Sequence, residues 1–114
     1  MLLFDLRERS GIPLPFLGRP ALTATTGADL ALRYRALLVT AWGVRRPDRL
    51  GFDVVFDAPI PHSDAPAMMA EATRRLERQV EAHPGQWFWV HRRWKGVKPD
   101  DIGPDTLREP APPP

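Results

Sequence analysis

The 114-residue sequence contains no cysteine, no long apolar run and little net charge. Without cysteine the chain has no disulfide, no thiolate nucleophile and no sulfur ligand for zinc. No stretch approaches the roughly 20 apolar residues of a membrane-spanning helix, and charge arrives too early, at Asp5, for a secretory signal peptide. A net charge of +2 creates no field that demands a polyanionic partner such as nucleic acid. We therefore expect a soluble or peripheral protein of at most one domain.

Prolines and glycines interrupt the first part of the chain. The pentapeptide MLLFD, residues 1–5, is typical of a short buried strand that ends in an acid. Residues 7–23 are predicted to form a long ordered loop, because five breakers lie in them: Gly11, Pro13, Pro15, Gly18 and Pro20. A loop of this length in a compact domain is usually functional or disordered, and its apolar residues favour order.

Helical and strand patterns follow in alternation. A helix is predicted to begin at Thr25 or Thr26, with Asp29 in the first turn where the helix dipole favours an acid. The apolar run at 36–44 predicts a strand covered on both faces, and 52–60 predicts a second strand. The pattern of 61–84 is the clearest helical one, with Ser63 or Asp64 as its cap and apolar residues at helical spacing: Met69, Ala72, Leu76 and Val80.

These elements predict an α/β fold, in which part of a mixed sheet is flanked by helices. Residues 99–114 lose all periodicity and end in prolines, so we expect a flexible tail after a domain that spans 1–98.

The segment HPGQWFWVHRRWK, residues 83–95, combines three tryptophans with several cationic groups. A nucleic-acid patch, a membrane-surface helix, a metal site and one packed element of a larger fold would each use such residues. Trp87, Val90 and Trp94 fit one face of a helix, whereas Phe88 and Trp89 leave it apolar on more than one side. Packing between other elements is the interpretation that this pattern favours.

The chemistry-bearing residues form no complete catalytic constellation. Asp64 follows His62 at a spacing seen in metal sites, but a turn with a helix-capping acid explains the pair more simply. His83 lies at a helix junction and His91 in the aromatic segment, where structural roles are favoured, so no metal site is predicted. The sequence has neither a glycine-rich phosphate loop nor a nucleophilic serine elbow.

The segment at 83–95 closely resembles the C-terminal signature of the lipid A biosynthesis acyltransferases, the lauroyl and myristoyl transferases of the lysophospholipid-acyltransferase-like family in Gram-negative bacteria. That signature is roughly P-E-Q-W-x-W-x-H-R-R-W/F-K, and Gly85 stands here in place of its acid. Upstream, 4–34 resembles the family block of an acid, a proline-rich loop and an A-T-T-x-G helix start. Residues 36–60 resemble its following strand pair, so the resemblance covers 2–98 in the expected order.

The resemblance implies transfer of an acyl chain from acyl carrier protein, or a related thioester, to a hydroxyl of a lipid A precursor or related glycolipid. It implies no cofactor and a location at the cytoplasmic face of the bacterial inner membrane. The family uses an H-x4-D/E motif, in which histidine acts as the general base. Five positions after the three histidines, the residues are Ala67, Phe88 and Gly96. We therefore expect the motif and the N-terminal membrane segment to lie upstream, and this chain alone to be inactive.

Several residues correspond to functional positions of the family. Asp5 aligns with an acid at a strand end near the catalytic pair, although Leu6 replaces the glutamine that usually follows; a loop-capping acid is the alternative. Thr25, Thr26 and Gly27 begin a helix whose free amides attract anions, or simply cap it.

The three cations of the C-terminal signature, Arg92, Arg93 and Lys95, are predicted to hold acceptor phosphates through charge-assisted hydrogen bonds. The competing hypothesis for the whole chain is a non-catalytic module that binds acyl carrier protein or anionic lipid.

Overall fold

The computed structural model describes residues 1–48, 50–87 and 92–96. The predicted tail at 99–114 and the centre of the predicted aromatic helix, 88–91, lie outside these residues. The elements in chain order are β1 (Ile12–Phe16), β2 (Arg19–Thr23), α1 (Thr26–Tyr34), β3 (Ala41–Arg45), β4 (Phe52–Phe56), α2 (Ala65–Ala82) and a 3-10 turn (Pro84–Gln86). None of the helices in the described ranges combines the length and the apolar character needed to cross a membrane.

The predicted α/β class is confirmed, and the described strands form two separate antiparallel pairs, β1–β2 and β3–β4. The strand predicted for 1–5 is wrong, because this segment forms no ladder with any of the described strands. It runs in the same direction as 38–42: Leu2 and Leu38 both lie beside Gly27, and the Phe4 ring is 5.9 Å from that of Trp42. Residues 1–5 thus contact 38–42 through side chains, without the backbone ladder to a described strand that would make them part of the sheet.

The long loop predicted for 7–23 is also wrong, because most of it is the β1–β2 hairpin. Leu17 and Gly18 form its two-residue turn, with φ of 50° and 77°, as in a type I′ turn. The pair Phe16–Arg19 flanks this turn and is hydrogen-bonded, so hydrogen-bonded and non-hydrogen-bonded pairs alternate from there. Three prolines occupy only non-hydrogen-bonded positions, where no ladder N–H is needed: Pro13, Pro15 and Pro20. Their alternate spacing is therefore compatible with a strand.

Helix α1 begins at the predicted place, with Thr25 as its N-cap residue. The Thr25 hydroxyl, however, donates to Asp29 Oδ2 at 2.9 Å and caps no backbone amide. Ala28 and Ala31 are buried against the core, whereas Leu30 and Tyr34 remain exposed. The small residues bring α1 close to α2, and the larger ones point away from it.

Both predicted strands of the second hairpin exist, but they are shorter than predicted. The expectation that β3 is covered on both faces is wrong, because Leu37, Val39 and Ala41 are exposed. Only Trp42 and Val44 of β3 are half-buried, and every residue of β4 is exposed. Among the described residues, no layer packs on the outer face of this hairpin.

Helix α2 confirms the clearest prediction. Asp64 is its N-cap and accepts a hydrogen bond from Ala67 N at 2.8 Å. Its buried face carries all four predicted apolar residues, Met69, Ala72, Leu76 and Val80, together with Met68 and Thr73. This face divides the core in two: the first part lies against α1 and Leu14, and the second against the β1–β2 hairpin around Phe16.

Candidate functional site

An open groove of about 1020 Å³ lies between residues 1–5, α1, β3 and α2. Its wall is mostly apolar, and much of that apolar surface faces solvent: Leu2, Leu30, Leu37 and Val39. Asp5 and Glu8 bring carboxylates to the wall, and His83 and Gln86 add polar groups from the end of α2 and the turn after it. An apolar hollow with a few polar groups on its rim is the usual form of a ligand site.

One border of the groove is the outer edge of β3. Asp57 N donates to Thr40 O at 2.9 Å, so residues 40 and 57 form a hydrogen-bonded pair. Because such pairs alternate along an antiparallel ladder, the backbone N–H and C=O groups of 41, 43 and 45 point away from β4. The Arg45 amide is satisfied by a side chain, Gln86 Oε1, at 3.0 Å. No other strand in the described part of the chain pairs with this edge. The edge can therefore accept a further strand.

The groove brings together three of the residues predicted from sequence. Asp5, Thr26 and Gly27 all line it, although more than twenty positions separate Asp5 from the other two. Thr25 lies next to this wall with its hydroxyl committed to Asp29. A Cβ at Gly27 would lie in ordinary van der Waals contact with Leu38 and Leu2, at 3.6 and 3.9 Å, so these two apolar residues pack beside the helix start.

The predicted cations of the C-terminal signature lie outside the groove, in a short turn over 92–96 that packs on the β1–β2 hairpin. Lys95 N donates to Arg92 O at 3.3 Å and closes this turn. Arg93 and Trp94 point inward, whereas Arg92 and Lys95 are exposed. The turn therefore divides its side chains between the interior and the surface.

Arg93 is fully enclosed. Its guanidinium donates to Leu22 O at 2.6 Å and to Thr23 Oγ1 at 2.8 Å, and it lies 5.5 Å from the centre of the Phe16 ring. Burial lowers the pKa of Arg93 to about 10, against the opposing effect of the negative charge of Asp5. Arg93 Nε has no hydrogen-bond partner in the described part of the structure. Substrate contact by Arg93 stays a prediction, and this enclosed position does not support it.

Phe16 is the centre on which the aromatic residues converge. Its ring lies 5.5 Å from that of Trp87 and 5.5 Å from that of Trp94, and Trp94 Nε1 donates to Phe16 O at 3.0 Å. The packing role favoured for Trp87 and Trp94 is thus confirmed. Trp89 and Val90, which belonged to the same prediction, lie outside the described residues.

Two further arginines that sequence analysis did not single out lie beside this turn. Arg7 Nε donates to Lys95 O at 3.0 Å, and the Arg19 guanidinium lies 5.4 Å from the centre of the Trp94 ring. We call Arg7, Arg19, Arg92 and Lys95 the basic face. Sequence offers no signal for it, because the first two residues are far from the last two along the chain.

A polar cluster at the base of the second hairpin was also missed. The Asp57 carboxylate accepts hydrogen bonds from Thr40 Oγ1, at 2.9 Å, and from Trp42 Nε1. Partial burial raises the pKa of Asp57, but these hydrogen bonds and the charges of Arg75 and Arg78 outweigh it and lower the pKa overall. The ionised Asp57 carboxylate therefore accepts the hydrogen bond that holds the indole of Trp42 at the groove.

Of the two histidines in the described residues, His83 ends α2 at the groove and His62 has structural surroundings. His62 Nε2 lies 2.7 Å from Ala36 O, just beyond the end of α1, and Asp64 caps α2 as the sequence favoured. Within 1–48, 50–87 and 92–96 no group of histidines and acids could hold a metal ion. His91 lies outside the described residues.

The profile of the bacterial lipid A biosynthesis acyltransferases matches residues 4–96, which include the groove and the aromatic-basic turn, and this match defines the class of protein. The chain belongs to this acyltransferase family. It is 28% identical over 102 residues to the lipid A biosynthesis lauroyltransferase of Escherichia coli (strain K12), a match that covers 86% of this chain and 33% of that protein.

A second relative is the lipid A biosynthesis acyltransferase of Haemophilus influenzae (strain ATCC 51907 / DSM 11121 / KW20 / Rd), 25% identical over 105 residues. That match covers 88% of this chain and 33% of the relative. The chain thus spans about one third of the length of the curated relatives it matches.

Proposed function

We propose that the chain supplies the C-terminal part of an O-acyltransferase that acts on a lipid A precursor or a related glycolipid. The acyl donor in this proposal is acyl carrier protein carrying a thioester-linked chain, or a related thioester. The family match over 4–96 carries the proposal. The groove supports it, since an apolar hollow with a carboxylate at its wall suits a substrate that has both a hydrocarbon chain and a polar headgroup.

In this proposal Asp5 is a supporting acid. A carboxylate at the groove wall can orient a general base or accept a hydrogen bond from the acceptor hydroxyl. The helix start at Thr25, Thr26 and Gly27 adds amides that favour an anionic group nearby. The general base itself is not assigned to this chain, because none of its histidines is followed by an acid at the family spacing. We therefore infer that residues 1–114 alone do not catalyse transfer.

The acceptor phosphates are proposed to contact the C-terminal turn. Arg92 and Lys95 are exposed and suited to charge-assisted hydrogen bonds with phosphate oxygens. Arg93 would reach such a ligand only by leaving Leu22 and Thr23, so its contribution is to hold the turn in place. The proposed location is the cytoplasmic face of the bacterial inner membrane, reached through a membrane segment upstream of these residues.

The proposal is tested on the native gene product. Its intact mass in its own cells should exceed the 12.9 kDa of the 114 residues, and that product should transfer labelled acyl groups from acyl carrier protein to a lipid A precursor. Asp5→Asn should lower kcat at least about tenfold, the lower range for loss of a positioned acid. Asp48→Asn, in the exposed turn of the second hairpin, is the matched control and should leave kcat unchanged. Full activity of Asp5→Asn would remove Asp5 from the site.

The second candidate is a non-catalytic module that binds acyl carrier protein or anionic lipid. Three exposed cations of the basic face, Arg19, Arg92 and Lys95, favour it over an unrelated structural role. A native product of 12.9 kDa that lacks transferase activity but binds acyl carrier protein or anionic vesicles would support this candidate in place of the enzyme.

A further inference from the structure

We propose that Arg93 is a positioning residue for the reaction, which holds the Asp5 carboxylate at the wall of the groove. It does so from the turn over 92–96, by fixing the neighbouring segment at 5–8. The inference deepens the proposed function and rests on it, because Asp5 is the supporting acid of that proposal. Since Arg93 acts through Asp5, its role requires no contact with substrate.

Arg93 and the segment after Asp5 share one acceptor on β2. Leu22 O accepts a hydrogen bond from Arg93 Nη1 at 2.6 Å and another from Glu8 N at 3.3 Å. The other terminal nitrogen of the guanidinium, Nη2, donates to Thr23 Oγ1 at 2.8 Å, so the guanidinium spans two consecutive residues of β2. Arg93 thus holds the carbonyl to which Glu8, three positions after Asp5, is hydrogen-bonded.

A second connection joins the same turn to residue 7. Arg7 Nε donates to Lys95 O at 3.0 Å. A Cβ at Gly96 would lie 3.6 Å from Arg7 Nη2, so Gly96 lies beside the Arg7 guanidinium. On the other side of Asp5 in sequence, Phe4 packs against both parts of the core. Contacts on both sides therefore restrict how far the backbone at Asp5 can move from the groove.

The charge of Arg93 favours this role over a purely structural one. Burial lowers the pKa of Arg93 to about 10, and the negative charge of Asp5 acts in the opposite direction, so the two charges interact. Arg93 is 0% exposed, yet its Nε has no hydrogen-bond partner in the described part of the structure. Replacing an enclosed charge by a well-packed apolar side chain is often neutral or stabilising. A cation at this position is therefore better explained by its effect on Asp5 than by packing.

The test is a double-mutant cycle on the native gene product, with Asp5→Asn as the second change. It uses kcat at saturating acceptor, because the turn also carries Arg92 and Lys95. Arg93→Met should lower kcat about as much as Asp5→Asn does, at least about tenfold, since a small displacement of a catalytic group costs that much. In the Asp5→Asn background it should cost less than about twofold more. A further loss of about tenfold there, as independent effects would give, would overturn the inference.

Arg75→Met is the matched control. The Arg75 guanidinium likewise donates to a backbone carbonyl, Ala58 O at 2.6 Å, at the base of the second hairpin. This change should leave kcat within about twofold, because Arg75 holds a different part of the chain. If Arg93→Met does not fold, Arg93→Lys replaces it in the same cycle, since lysine keeps the charge near Asp5 but loses the planar set of donors. Its smaller loss of kcat should again be absent in the Asp5→Asn background.

Hydrogen–deuterium exchange followed by mass spectrometry tests the attachment without enzyme activity. In the Arg93 variant, amide exchange in a peptide covering residues 4–10 should be at least about threefold faster, because the hydrogen bond from Glu8 N to Leu22 O is loosened. In Arg75→Met it should not change. Unchanged exchange in the Arg93 variant would overturn the inference even if kcat fell. A native product with no transferase activity would overturn the proposed function, and with it the role of Arg93 in the reaction, while faster exchange would still show that the turn holds 5–8.

Discussion

The two hairpins have strands of equal length and the same antiparallel pairing, yet they differ completely in packing. The β1–β2 hairpin buries Phe16 at 0% exposure, and three separate contacts hold it: Arg93 to β2, Trp94 to Phe16 O, and Glu77 to the turn amide of Leu17. The β3–β4 hairpin is held at its base by Asp57 and at one edge by Gln86. Its two phenylalanines, Phe52 and Phe56, face solvent.

This difference shows that the same strand pairing can form either a buried or an exposed hairpin, depending on what packs against it. The sheet face that carries Phe52, Val54 and Phe56 is exposed, and it is a surface that further polypeptide or lipid would cover. In relatives that are three times as long as the match, polypeptide is available to cover it. The first hairpin instead has its partners within this chain. We infer that the first hairpin is the stable scaffold of the chain.

The largest expected effect comes from matched deletion of one aromatic ring in each hairpin. Phe16→Ala should lower the free energy of unfolding by about 3–5 kcal/mol, because it removes a fully buried ring from among Trp87, Trp94 and Val80. Phe56→Ala, at a residue that is 72% exposed, should change it by no more than about 0.5 kcal/mol. Urea denaturation followed by tryptophan fluorescence measures both.

If Phe16→Ala does not fold, Phe16→Leu keeps the comparison, with an expected loss of about 1.5 kcal/mol or less. A loss at Phe56 as large as that at Phe16 would contradict the inferred scaffold. It would show instead that other polypeptide covers Phe56 in the native protein.

Sequence periodicity predicted the elements whose partners are close along the chain. Helix α2 was recognised with its cap and its four core positions, since helical spacing and Asp64 act locally. The β1–β2 hairpin was missed because its prolines were taken as breakers, whereas register decides whether a proline disrupts a strand. The extent of burial of β3 was overestimated, because an apolar run shows that a strand can be covered without showing what covers it.

The candidate site was predictable only in part, and only through the family resemblance. Asp5 and Gly27 were named because they match family positions, and the fold then brought both to one groove. Arg7 and Arg19 could not be found, because their relation to Trp94 and Lys95 exists only in three dimensions. Arg92 and Arg93 are adjacent in sequence, yet one is exposed and the other enclosed, which no spacing rule distinguishes in an irregular turn.

A smaller effect is expected from matched glycine substitutions, one in each hairpin. Gly18→Ala should cost about 1–2 kcal/mol, because Gly18 has a φ of 77° and the left-handed region is unfavourable for a residue with a Cβ. No atom lies within 4 Å of that Cβ, so the cost is purely one of backbone conformation. Gly43→Ala also meets no atom within 4 Å, but its φ is not positive.

Gly43→Ala should therefore be neutral or stabilising by about 0.5 kcal/mol, through a more restricted unfolded chain. Thermal unfolding of both variants measures the difference. Equal effects at the two positions would show that the turn of the first hairpin is not type I′ in solution.

The smallest effects concern two carboxylates, one bound to each hairpin, whose pKa values shift in opposite directions. Burial raises the pKa of Glu77 above 4.5, and the hydrogen bond from Leu17 N, at 2.7 Å, only partly opposes it. For Asp57, burial also acts to raise the pKa, but the hydrogen bonds from Trp42 and Thr40 prevail and lower it below 3.8. One carboxylate is thus more readily protonated in the folded state, and the other less readily.

The pH dependence of stability follows with opposite signs. Asp57 contributes stability that is present above pH 3.8 and is lost as pH falls through its lowered pKa, so the advantage of the native protein over Asp57→Asn should shrink at acid pH. The contribution of Glu77 is present below pH 4.5 and is lost as pH rises through its raised pKa, so Glu77→Gln should gain on the native protein towards neutral pH. Glutamine can still accept the Leu17 amide, which isolates the charge from the hydrogen bond. Urea midpoints measured across the acid range give the stability difference between the native protein and each variant. If both differences changed in the same direction with pH, the opposite pKa shifts of Asp57 and Glu77 would be refuted.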